Sequence, residues 1–268
     1  MEHVTKRIFS LLNNWQKLPA YKIEPRVDIF FACFLPDILK DKFEDFNADK
    51  KAYIIPEFPL LKSKDRQGKD VKGNTKKRES DKIDYVLFNN NSIYLVELKT
   101  DNNSIRWNQA ESLEKQKCWH TMLIDILFIS IARVKDGKLI YQSRKYEFLI
   151  SELFNALNIT NIQEIYDMLK DISNFDEIDE WPKVINNPGF TKLFPKHKIE
   201  PVYIIPSVSK TIFDVAYRKK LDKKYIENIE IIEFNDVINA VEDTCPDKIC
   251  KNEAFSGECF CKLLRNII

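Results

Sequence analysis

The sequence predicts an α/β domain. Three observations carry that expectation. Helical patterns open the chain, an apolar strand and a hairpin follow over residues 52–61 and 81–100, and a long helical pattern runs from about 105 to 133. Hydrophobic residues make up 44% of the 268 positions, with 18 Phe and 10 Tyr, enough for a substantial core. Only 5 Gly argues against a loop-dominated or all-β chain.

The elements can be justified in order. Residues 5–18 place Ile8, Leu11, Leu12 and Trp15 on one helical face. A second helix begins at Glu24-Pro25, with Pro25 suited to the first turn and Val27, Ile29, Phe30, Phe31, Phe34 and Leu35 behind it. AYIIPEFPLL, residues 52–61, reads as a strand; Pro56 and Pro59 put it at a sheet edge or end it early. Glu57 in that strand is expected to be a solvated edge residue.

DKIDYVLFNNNSIYLVELKT, residues 81–100, reads as a tight hairpin. Two runs of β-branched, aromatic and aliphatic residues flank Asn89, Asn90 and Asn91, which tolerate the left-handed backbone of a turn. Alternation puts Glu97 and Lys99 on one face. A turn near Asn90 brings Asp84 opposite residue 96 or 97, and a slip of one residue would send it to the other face. VELKT places a charge pair at the end of a nearly continuous apolar strand, where charges need partners or a metal. Asn103 or Ser104 caps the helix that follows, 105–133. Cys33 and Cys118 are expected to pack as small apolar residues, and His120 as a packed core residue. Beyond that helix, PVYIIP (201–206) and IEIIEF (229–234) are two candidates for a closing strand.

The hairpin resembles the PD-(D/E)xK nuclease superfamily, the restriction-endonuclease-like proteins. That motif is an Asp opening one strand and a (D/E)-x-K on the next; here twelve residues separate Asp84 from Glu97-Leu98-Lys99. Ile83 stands where a proline usually precedes the Asp. Glu97-Leu98-Lys99 is the only E-x-K in the chain, and none of its four D-x-K triplets lies on such a strand.

The resemblance implies an αβββαβ core, a mixed central sheet flanked by helices, with helical additions. The core would take residues from about 20–135 and 199–235, with 136–198 as a helical insertion and 236–268 as a Cys-containing C-terminal helical segment. It implies a DNA nuclease in which Asp84, Glu97 and the Leu98 backbone carbonyl bind Mg²⁺ or Mn²⁺ while Lys99 positions water or the phosphate oxygens, giving a 5′-phosphate end. Glu24 matches a first-helix glutamate used by some members, although the helix dipole favours an N-terminal Glu in any case. Gln109 matches a glutamine that faces the site in relatives; an exposed helical Gln is the alternative. Many members dimerise, so a homodimer is expected.

Residues 62–82 form the chain's basic, low-apolar stretch, with eight Lys or Arg before Lys82 diluted by four acids. Lys69, Lys72, Lys76, Lys77 and Arg78 are its candidate phosphate contacts, and a loop of this length is functional or disordered. A solvated loop without a ligand explains the same composition. Net charge is +1, so any nucleic-acid surface must be local. Cys245, Cys250, Cys259 and Cys261 fall within 17 residues as C-x4-C-x8-C-x-C. Thiolates in such a group could take zinc or an iron–sulfur cluster, as some superfamily relatives do, but the spacing matches no standard pattern of either. Four reduced cysteines around a terminal helix is the favoured reading. No apolar stretch is long enough to span a bilayer and no signal-like block opens the chain, so a cytoplasmic protein without membrane contact is expected.

Three other functions stay open beside the nuclease. One is a catalytically inactive nuclease-like module that binds nucleic acid or a partner, which the intact Asp84, Glu97 and Lys99 argue against. The others are a hydrolase of another phosphate ester, and a partner-binding protein using the aromatic-rich helices over 27–46 and 105–133.

Overall fold

The computed structural model describes residues 28–47, 52–61, 80–99, 113, 118–170, 172, 175–176, 181–205, 229–244 and 261. In order these form helix α1 (Asp28–Lys42), strands β1 (Tyr53–Leu61), β2 (Ser80–Asn89) and β3 (Ser92–Leu98), and helix α2 (Trp119–Ser130). A hairpin of β4 (Ile131–Lys135) and β5 (Lys138–Tyr141) follows. Helices α3 (Arg144–Ala156), α4 (Ile162–Leu169), α5 (Pro182–Ile185) and α6 (Pro188–Leu193) come next, then strands β6 (Lys198–Ile205) and β7 (Glu230–Glu233) and helix α7 (Phe234–Thr244).

The protein is α/β, with a mixed five-stranded sheet in the order β1-β2-β3-β6-β7. β1, β2 and β3 form an antiparallel meander; β6 runs parallel to β3, and β7 parallel to β6. β1 is an edge strand, which accommodates Pro56 and Pro59 because one row of its backbone N–H groups has no ladder to join. β3 is central, and its residues Ser92 through Glu97 are all buried. Both closing-strand candidates enter the sheet, as β6 and β7.

Alternation assigns the two faces. Tyr94 points to α1 and the residues after it, where its ring meets Phe43 and Phe46 at 4.9 and 5.6 Å. Phe88 points the other way and meets Trp119 of α2 at 6.0 Å. Helices therefore cover both faces, as a sheet with parallel strands requires. α1 and α7 pack on each other through Phe31 and Phe234, whose rings lie 5.5 Å apart.

Two local expectations are corrected. The helix expected over 105–133 is not continuous through Cys118, which is extended (φ −123°, ψ 112°), and it stops at Ser130. Residues 131–141 instead make the β4–β5 hairpin, closed by Asp136 (φ 50°) and Gly137 (φ 72°). An Asp-Gly pair in this backbone is a strong short-range hairpin signal, and it outweighs the helical pattern across Ile129–Val134. A boundary between 135 and 136 falls inside this turn, so the segment after it opens with strand β5. Cys118 is exposed beside α2 rather than packed, because α2 starts only at the next residue. α2 itself is buried nearly all round, including Asp125 at 3% exposure. His120 is buried and bonded through Nε2 to the Phe194 carbonyl at 2.8 Å, a packed residue as expected.

Candidate functional site

β2 and β3 meet in the register Tyr85↔Val96 through Asn89↔Ser92, with Asn90 (φ 50°) and Asn91 alone in the turn. Continued by one residue, that register sets Asp84 opposite Glu97. Facing residues share a face, so the two carboxylates project together on the α2 side of the sheet, at the end away from the hairpin turn. Lys99 follows at the end of β3, where its backbone N–H donates to the Ile204 carbonyl at 2.9 Å. That bond extends the β3–β6 pairing past Leu98 and holds Lys99 beside Glu97.

Each charged group has a defined partner. Lys99 Nζ donates to Glu97 Oε1 in a close ion pair, with Glu97 at 1% and Lys99 at 7% exposure. The Leu98 N–H donates to Asp84 Oδ2 at 2.8 Å. Asp84, half-buried, thus meets a neutral amide directly, while the ammonium of Lys99 lies against Glu97. Burial, then the charge of Glu97, push the Asp84 carboxyl up to about 7, against the lowering effects of the Leu98 N–H and Lys99. Burial also raises Glu97, and Lys99 opposes that rise.

Glu57 belongs to the same neighbourhood. It is half-buried, not a solvated edge residue, and its Oε2 lies 3.4 Å from Lys82 Nζ. Its charge acts on both Asp84 and Glu97. The readable signal was position: Glu57 falls in an apolar strand facing the one that carries Asp84, a relation that becomes visible only once the β1–β2 register is known.

Among the described residues, no group of three or more His, Cys, Asp or Glu side chains converges on a metal-sized point. Magnesium does not demand one, since it is usually held by one or two carboxylates with waters and phosphates. The donor set fits such an ion. Two carboxylates and one ammonium leave one negative charge in excess, and the raised Asp84 registers that excess. Asp84, Glu97 and the Leu98 carbonyl are the groups that would hold the ion.

The remaining candidates divide. Cys261 is buried, its thiol donating to the Ile238 carbonyl at 3.8 Å, so it packs against α7. Glu24, Gln109, Lys69, Lys72, Lys76, Lys77, Arg78, Cys245, Cys250 and Cys259 lie outside the described residues. No described helix is long and apolar enough to cross a membrane. Compared with known proteins, the chain matches no family model, no curated protein and no solved structure.

Proposed function

We propose that this chain is a metal-dependent phosphodiester hydrolase, a DNA nuclease of the PD-(D/E)xK kind. The observation that carries the reading is the cross-strand pairing of Asp84 with Glu97, with Lys99 fixed beside them and one carboxylate charge left without a cation. The order of elements supports it too: an antiparallel meander, a buried helix and a strand returning parallel to β3 are what the αβββαβ core calls for.

A bound Mg²⁺ or Mn²⁺ would supply a lowered pKa for water and offset negative charge at the phosphate. The chain's own groups do the rest. Asp84 and Glu97 set where the phosphate comes to rest. Lys99, relieved of Glu97 once that carboxylate holds a cation, donates to a non-bridging phosphate oxygen or to the attacking water. The water oxygen bonds to phosphorus and the P–O3′ bond breaks. The 5′-phosphate stays on one fragment, and the 3′ oxygen leaves as a hydroxyl after taking a proton from solvent.

Cleavage of plasmid and linear DNA with Mg²⁺ or Mn²⁺ tests the reading. Asp84→Asn and Lys99→Ala are each expected to lower the rate ~10²-fold or more while melting as single folded species. Full activity in either variant, or turnover of mononucleotide esters alone, would reject a polynucleotide-cleaving site here. The Lys99 variant also leaves Glu97 buried without its cation, a change that costs about 3–5 kcal/mol unless Glu97 takes up a proton. Its folding must therefore be checked at the assay pH.

A further inference from the structure

β1 passes Asp84 at Glu57. The pairs Pro56↔Tyr85 and Phe58↔Ile83 bracket the two residues, so Glu57 faces Asp84 across one strand gap as Glu97 does across the other. Three carboxylates on three adjacent strands thus form a row on one face, with neighbouring Cβ atoms ~5 Å apart in ordinary pairing. Glu57 is also held in the left-handed region (φ 51°), unlike any other described strand residue, and for a residue with a side chain that conformation costs free energy.

The cations around this row are placed unequally. Lys99 is almost wholly enclosed with Glu97, whereas the Lys82 side chain is 45% exposed and its partner Glu57 14%. Lys82 can therefore swing into solvent at little cost, and Lys99 cannot. The formal charges then point to a ligand. As they stand, three carboxylates and two ammonium groups leave one negative charge. With Lys82 released to solvent, the three carboxylates, Lys99 and one divalent cation sum to zero.

We propose that Glu57 is a third acidic ligand of the metal centre, and that Lys82 is the counter-ion it gives up when the divalent ion binds. The proposal rests on the metal-dependent reading above. It accounts for carboxylates that do not converge without the ion, since each is turned to a partner of its own: Glu57 to Lys82, Asp84 to the Leu98 N–H, Glu97 to Lys99.

Titration of Mn²⁺ alone into the full chain, followed by calorimetry at constant ionic strength, tests it. Glu57→Gln is expected to weaken Mn²⁺ binding ~10-fold or more. Glu57→Asn should do the same while suiting the left-handed backbone, which guards against a folding defect in the first variant. Lys82→Met should tighten Mn²⁺ several-fold, and should have no such effect in the Glu57→Gln background. A purely structural ion pair would instead lower the melting temperature in Lys82→Met and leave Mn²⁺ affinity alone. Wild-type Mn²⁺ affinity in both folded Glu57 variants, alongside loss of binding in Asp84→Asn, would overturn the role of Glu57 and leave the metal site standing. No Mn²⁺ binding by the wild type, or equal binding by Asp84→Asn, would overturn both.

Discussion

Burial and the charge of Glu97 together push Asp84 to about 7, and this has a measurable consequence. An unfolded Asp takes up its proton near pH ~4. Between that pH and about 7 the folded, metal-free chain binds more protons at Asp84 than the unfolded chain does. Asp84 therefore contributes a loss of stability as pH rises through that window. In chelator, the wild-type melting temperature is expected to fall more steeply than that of Asp84→Asn between roughly pH 4 and 7. Parallel slopes would mean that Asp84 sits in an ordinary environment. At this scale much was legible in the chain: Asp84, Glu97 and Lys99 stand out because charges interrupt apolar strands. The environment of Glu57 was not, since an acid flanked by two prolines reads as a solvated edge until its neighbours across the sheet are known.

Among the elements, the apolar hairpin of β2 and β3 was readable because alternation and an Asn-rich turn agree on the same register. The β4–β5 hairpin was missed, although its turn chemistry is as clear. There the apolar run of α2 continues into Ile131 and Val134, and a helical period fits it equally well until the Asp136-Gly137 turn is weighed. Gly137 can be tested directly. A Cβ added there meets nothing within 4 Å, so the cost of Gly137→Ala comes from its positive φ alone. That substitution is expected to lower stability by about 1–2 kcal/mol in a denaturant titration, with no change in DNA cleavage. A neutral result would show that the turn relaxes to another conformation.

For the whole molecule, the decisive feature is the crossover between β3 and β6. The chain leaves the sheet after Leu98 and returns at Lys198, and residues from that excursion pack back on the core. Trp181 is fully enclosed, with its ring 5.8 Å from Phe128 of α2 and 5.4 Å from Phe175. If the excursion and the sheet fold as one unit, Trp181→Ala should cost about 3–5 kcal/mol while thermal unfolding stays a single transition. A separate low-temperature transition in that variant would mark an independent subdomain. The strands, the hairpin and its charged trio follow from short-range patterns, because alternation and turn propensity act over a few residues. The parallel return of β6 beside β3, the entry of both late strands into one sheet, and the placing of Glu57 next to Asp84 follow only from the folded chain. Each depends on which distant segments share a buried face, and that is settled by packing the whole core rather than by any local preference.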